Sequence, residues 1–542
     1  MRLGLARVTK VRVRSHREDF ESMTTDEPEF DVVIVGCGPV GAVAACWLGQ
    51  AGVKTLVVEK SRSIWEIPRA MALDHEILRV FQNIGVIQKV LPYTAPFGIS
   101  EHYGAEGQLI RTIGVVPPPY PLGYLPNMVF TQPPVERILR SRVEEHVSVT
   151  VSLGKEVTFL ENQEERISIT VRNESGEEEV VRARFVIACD GASSTIRRLS
   201  NISLDDLGFD EPWLVVDLIV HDAAVAKLPK ACAQYCDPAR PYTYIIGPGN
   251  HRRWEIMLNP GEDAREMERE ENVWKLLSRW LNRGDGYLWR AGSYRFHALV
   301  AEKWRDGRVF LAGDAAHQQP PFIGQGMCQG IRDVTNLCWK MVSVLGEEAD
   351  DKLLDTYERE RSQHVRTLTQ RIKEIGAAIC ERDAEAARLR DEALLIKGGG
   401  TAPVVTRQEI VPHLESGLIA PRHGPGAGTI FPQPKIATAT RECLLDDATG
   451  LGWRLFWDGR LDEDCPDVEH YGIRALALGG EGLTDTEGVA TAWFELHGCQ
   501  AVIVRPDHYV YCGIRDMSQS AEACRDLMES LKKIGLAGES VR

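Results

Sequence analysis

At 542 residues the chain is too long for one compact core, so two or three domains are expected. Its 63 Lys and Arg stand against 78 Asp and Glu, a formal net charge of -15. That balance excludes nucleic acid as the main partner, because phosphate-binding faces are basic, but leaves room for a local positive pocket around a small anion.

The 13 cysteines show no metal-ligand or disulfide spacing, and Cys232 and Cys236 form a lone C-x3-C. No metal is expected, and thinly spread, odd-numbered cysteines suit reduced thiols in a cytoplasmic enzyme. No apolar run reaches the ~18–20 residues of a membrane-spanning helix.

Residues 1–17 carry Arg2, Arg7, Lys10, Arg12, Arg14 and Arg17 without an acid. They lack the apolar stretch of a signal peptide, and a disordered extension over residues 1–28 is expected, with Met23 as the start. Residues 29–60 read as strand, glycine turn, helix and strand. A helical pattern follows over 68–90, with Ile77, Leu78, Phe81 and Ile84 on one face. Residues 117–121 (PPPYP) form a loop, and 134–145 predict a helix. Residues 147–181 alternate as two or three strands, and 184–189 as a buried one.

Between 210 and 300 strand patterns dominate (213–220, 242–246, 253–258), broken by one charged helix over 266–281. Residues 329–390 are helical. Glycines at 398–400 and 424–428 bracket a linker, and 432–513 resume a strand-and-helix pattern.

The chemistry lies in two glycine-acid motifs far apart. Gly36-Cys-Gly38-Pro39-Val40-Gly41 follows a strand and opens a helix, where Gly36 permits the turn, Gly38 the approach of a pyrophosphate, and Gly41 close packing. The helix start supplies free N–H groups and partial positive charge. Glu59, with Lys60 beside it, closes the second strand where an acid accepts ribose hydroxyls; this suits FAD or NAD better than NADP. Downstream, Arg308-Val-Phe-Leu-Ala-Gly313-Asp314 places an acid after a strand, suited to a ribityl chain, with His317 read as support behind it. Pro320-Pro321-Phe-Ile-Gly324-Gln325-Gly326 then opens a helix at Met327, whose N–H groups would face a reduced isoalloxazine.

These segments, with Asp190-Gly191 between them, resemble the fingerprints of group A FAD-dependent aromatic hydroxylases over about residues 29–375. The resemblance adds Arg69 and Gln132 to the flavin contacts. Val504-Arg-Pro-Asp507-His-Tyr-Val510 resembles the C-terminal signature of the phenol hydroxylase branch. Within that branch the chain is most similar to 3-(3-hydroxyphenyl)propionate/3-hydroxycinnamate hydroxylases, through stretches such as Arg69-Ala-Met-Ala-Leu-Asp74. The implied fold is α/β. A Rossmann-type FAD-binding domain (29–210 and 290–395) would carry an inserted β-sheet substrate domain (210–290, with parts of 95–130). A linker (396–428) and a thioredoxin-like domain (429–542) would follow.

The resemblance implies NAD(P)H-driven reduction of FAD, reaction with O2 to a flavin hydroperoxide, and oxygen transfer ortho to a phenolic hydroxyl. NADH is favoured over NADPH, and a homodimer is implied, by resemblance only. Candidates for the proton relay are Asp74, His75, Tyr242 and Tyr244, against plainer roles of Asp74 as a helix cap and the tyrosines as packing. For a substrate carboxylate, Arg240, Arg252, Arg253 and Arg295 are available. Gln318, Gln319, Phe322 and Ile323 leave the phenol open, and a polyketide-tailoring or resorcinol-type hydroxylase is the alternative. A non-catalytic flavin-binding protein is the contrasting class.

Overall fold

The computed structural model describes residues 28–420, 424–461, 468, 472–479 and 483–533. The extension expected at the N-terminus therefore lies outside the described residues, Pro28 excepted.

Short β-branched runs flanked by glycine build the first sheet. Phe30–Val35 lies between Glu178–Ala188 and Thr55–Glu59, parallel to both, and Val149–Leu153 and Val309–Leu311 extend the parallel set on either side. Lys155–Asn162 and Ile167–Asn173 add an antiparallel excursion onto Glu178–Ala188. The helices Pro39–Gln50 and Gly326–Leu345 cover this sheet and pack on one another. Strand order reverses at Phe30–Val35, so the crevice beyond its C-terminal end is where such a sheet binds its ligand.

A second, nine-stranded sheet stands beside it. It runs from His317–Gln318 at one edge through Gly286–Ala301, Leu204–Val220, His251–Met257, Tyr242–Ile246, Cys232–Tyr235, Ser100–Tyr103 and Leu109–Ile113 to Val404–Val405. One face packs on helical segments through Leu214, Val216, Trp254, Ile256 and Trp274. The other looks back toward the first sheet.

Three elements differ from the sequence pattern. The helix expected from residue 68 begins only at His75, capped by Asp74. Residues 68–71 form a loop because Arg253 and Arg290 bind the Pro68 carbonyl and Arg253 that of Arg69. The charged helix is split into Ala264–Met267 and Glu270–Leu277. The expected linker is partly built into the fold, because Val404–Val405 pairs in parallel with Leu109–Ile113.

C-terminally, a four-stranded mixed sheet in the order Arg474–Leu478, Arg454–Asp458, Ala501–Val504, Val510–Ile514 is flanked by the helices Val489–His497 and Ser520–Lys533. Charged groups beside this sheet dock on the flavin-domain helices. Arg79 binds Asp446 at 2.7 Å and Arg505 binds Glu360 at 2.7 Å, all four fully buried. Among the described residues no helix is long and apolar enough to cross a membrane.

Candidate flavin and substrate site

One cavity of about 540 Å³ runs from the first glycine motif to the open face of the second sheet. Its flavin-side wall includes Gly38, Pro39, Val40, Arg69, Gln132, Gly191, Asp314, Pro321, Gly324, Gly326 and Met327. The structure thus brings together most of the sequence-predicted cofactor set, drawn from five distant stretches of chain.

The glycines divide by role. Gly36 has φ +100°, and a Cβ there would lie 2.4 Å from the Cys189 carbonyl oxygen; one on Gly41 would lie 2.0 Å from that of Gly36. These two close the strand–helix junction. Gly38, Gly191 and Gly326 instead face open space, with nothing within 4 Å of a built Cβ. That is the cradle a bound dinucleotide needs. The helices Pro39–Gln50 and Gly326–Leu345 both start at the cavity, so two helix N-termini favour the pyrophosphate and a negatively charged ring. The residues present fit FAD.

Glu59 accepts N–H groups from Cys37 (2.7 Å) and Ser61 (2.8 Å), which fixes it at the end of its strand. Neither it nor Lys60 is on the cavity wall. The Gln132 amide oxygen takes the N–H groups of Arg69 (3.0 Å) and Ala70 (2.7 Å) and holds that loop to the wall. Asp190 binds the N–H groups of Thr195 and Ile196 and starts a short helix, leaving Gly191 to face the cavity. Asp314 opens onto the cavity while protein encloses it, and that enclosure raises its pKa against the opposing charges of His317 and Arg69. Behind it, His317 stacks on Trp304 and binds Asp333 at 2.8 Å, which also takes the Gly313 N–H and Arg361. Gln325 turns inward to Asp74 and Arg332, so it supports the helix start from the core.

The catalytic candidates fall elsewhere. Asp74 caps its helix and binds Arg332 at 2.6 Å; burial alone would raise its pKa, but the guanidinium holds it below the usual carboxylate range. Burial drives His75 down to about 4. Neither residue is on the cavity wall. Tyr242 and Tyr244 point to the far face of their strand, where Tyr242 stacks on Tyr235 and Tyr244 packs on Trp254. Strand alternation therefore gives Thr243 and Ile245 to the cavity, whose wall also includes Tyr244.

The arginines also separate. Arg240 pairs with Glu262 and Arg295 with Asp210; Arg252 binds the Gly249 and His251 carbonyls. Arg253 forms a bidentate pair with the fully buried Asp217, at 2.7 and 3.0 Å, and His251 binds the same carboxylate at 2.8 Å.

Of the cavity residues that sequence reasoning missed, Glu255 and Arg407 carry a charge without a hydrogen bond to any described residue. Glu255 sits opposite Val215 and Thr243 on the open face, 5% exposed, without a hydrogen bond to any described residue. Its nearest ion-pair partner is Arg253 at 3.8 Å. Burial pushes it up to about 6, with Arg253 opposing and Asp217 reinforcing the shift. The pattern R-x-E, two charges on one face of a fully buried strand, was the available signal. The other residue is Arg407, in the segment read as linker, where no pattern marked it.

Residues 29–372 match the FAD binding domain family, and residues 428–530 the HcaD C-terminal domain. The chain belongs to that FAD-binding family and is a flavin-dependent aromatic hydroxylase of group A. It is 34% identical over 522 residues to a probable NADH-specific resorcinol 4-hydroxylase of Rhodococcus jostii, covering 93% of this chain and 96% of the relative. It is 31% identical over 512 residues to the 3-(3-hydroxy-phenyl)propionate/3-hydroxycinnamic acid hydroxylase of Escherichia coli K12, covering 88% and 91%. Among solved structures, the flavin-dependent monooxygenase PieE with FAD and substrate superposes with a TM-score of 0.79 at 21% identity, over 94% of this chain and 100% of that one. Aklavinone-11 hydroxylase with FAD and aklavinone gives 0.75 at 22%, over 93% and 100%. At that identity these two show the fold.

Proposed function

We propose that the chain hydroxylates a monocyclic phenol ortho to its hydroxyl, with NADH and O2, as a step of aromatic catabolism. The observation that carries this reading is the single cavity joining the flavin-side glycines to a sheet face that bears one carboxylate without a hydrogen bond, Glu255. The names of the two relatives support the phenolic class, and that of the first supports NADH.

Bound FAD supplies the hydride acceptor and the activation of oxygen. The chain's own residues do the rest. The helix starts at Pro39 and Gly326 favour negative charge on the cofactor. Arg253 and Arg290, by gripping the Pro68 carbonyl, hold the substrate sheet against the flavin-side loop. Val215, Phe296, Phe322 and Met71 line the cavity with apolar surface that excludes water from the reacting ring. Glu255, ionised above pH ~6, takes the phenolic proton, because a phenolate is a far better nucleophile than a phenol. A homodimer and a cytoplasmic location are accompanying proposals that rest on family resemblance.

The test is purification of the flavin-loaded protein and measurement of NADH consumption with phenol, resorcinol and 3-(3-hydroxyphenyl)propionate, with identification of products. A yellow protein that inserts oxygen into at least one of them is expected. A protein that binds no flavin, or that yields no hydroxylated product with any phenol, removes the reading.

A further inference from the structure

The hydroxylase reading leaves the charge of the substrate open, and a segment outside both family matches bears on it. Residues 404–410 follow the FAD binding match and precede the HcaD match. Val404 and Val405 lie opposite Thr112 and Ile113 at the sheet edge. The Thr112 N–H donates to the Pro403 carbonyl (2.9 Å), and that of Gly114 to Val405 (2.8 Å). Thr406 caps the short helix Arg407–Ile410 in a reciprocal pair with Glu409, and the Gln408 amide bonds the Pro126 carbonyl. This strap delivers Arg407 to the cavity wall.

The Arg407 guanidinium lies 3.9 Å from the Phe97 ring centroid, and the residue is 4% exposed. It makes no hydrogen bond or ion pair with any described residue, and its Nε and Nη1 are buried without an acceptor. The titratable groups around it do not compensate it. The Cys232 thiol is raised by burial, and His102 is lowered to about 3 by burial together with Arg111 and Arg407. Arg79, Arg253, Arg332, Arg361, Arg454 and Arg505, by contrast, each pair with a buried carboxylate. A buried cation without a partner is costly, and the cavity is the direction from which a partner can come.

We infer that Arg407 receives a carboxylate on the substrate, so that the substrate is a phenol with a short carboxylated arm and not a neutral diphenol. Cys232–Tyr235, on the Arg407 side, lies two strands from His251–Met257, which carries Glu255. That is about 10 Å at ~4.8 Å per strand. A phenol with a short carboxylated arm matches a span of that order, its hydroxyl toward Glu255 and its carboxylate toward Arg407 on the same cavity wall. The inference rests on the hydroxylase reading and adds the receptor for the second end.

The test uses the full-length, flavin-loaded protein and compares kcat/KM for oxygen insertion into 3-(3-hydroxyphenyl)propionate and into the neutral 3-propylphenol. The wild type is expected to favour the acid roughly 100-fold. Arg407→Met should bring the ratio close to one, and Arg407→Lys should keep part of it. Calorimetric binding of 3-(3-hydroxyphenyl)propionate to the same proteins reads the site without turnover, with a comparable weakening in Arg407→Met. A wild-type ratio near one, or an Arg407→Met variant that loses both substrates in parallel while Arg407→Lys behaves likewise, overturns the receptor and leaves the hydroxylase reading standing. Arg407-dependent binding without any hydroxylated product removes the hydroxylase reading and keeps the receptor.

Discussion

Two sets of buried charges lie in this fold and are treated in opposite ways. Where the C-terminal domain docks, Glu360 accepts from Lys340 (2.8 Å), Arg505 (2.7 Å), Asn336 (2.6 Å) and the Leu418 N–H (2.8 Å), and Arg505 also binds Asp507. In the cavity, Glu255 and Arg407 are also buried, yet neither makes a hydrogen bond to a described residue. Dense mutual pairing fixes the angle at which two domains meet. Charges left open keep their interaction energy for a molecule that arrives later.

The sharpest break of this contrast is Glu255→Gln. As the proposed base, its loss should lower kcat by about 10²–10⁴-fold. The wild-type rate should rise with pH through about 6, and the variant should lose that limb. Stability should move the other way. The folded pKa of Glu255 is raised above its unfolded value, so folding is penalised once the group must ionise. The penalty is absent below pH ~4.5, grows as pH rises to about 6, and amounts to roughly 2 kcal/mol above that. Denaturant titrations at pH 4 and 7 should show Glu255→Gln more stable than wild type only at the higher pH.

Glu360→Gln should do the reverse. Lys340 loses its carboxylate while Arg505 keeps only Asp507, and the cost is about 3–5 kcal/mol, read as a lower denaturation midpoint. Arg407→Met falls between them. It removes an uncompensated charge but also the stacking on Phe97, so the midpoint should shift by less than about 1 kcal/mol, in contrast to any of the paired arginines. Arg388→Ala, on the solvent face beside Glu385 and Glu392, should leave the midpoint unchanged within error.

The flavin half of the site was legible in the sequence because its chemistry is local. Gly36, Gly38 and Gly41 act through backbone geometry, and so do Gly313 and the Gly324 to Gly326 turn, so the motif and the function coincide. The substrate half was not legible in the same way. Tyr242 and Tyr244 were sound residue types on the right strand, but a one-residue offset in facing separates them from Thr243 and Ile245, and only the pairing of the sheet decides that. Asp74 was visible as a cap and as a possible base; Arg332, 258 residues away, decides for the cap. Arg407 carried no local mark at all. Its meaning comes from a two-residue strand pairing with another strand nearly 300 residues upstream.

The strap that carries Arg407 has an evolutionary corollary. It lies after the cofactor framework in chain order and before the C-terminal domain, and touches the cavity through one side chain on a four-residue helix. On the role proposed for Arg407, the charge this pocket selects can be exchanged by substitution at one position. No glycine that cradles the flavin, and no pair that locks the domains together, has to change with it.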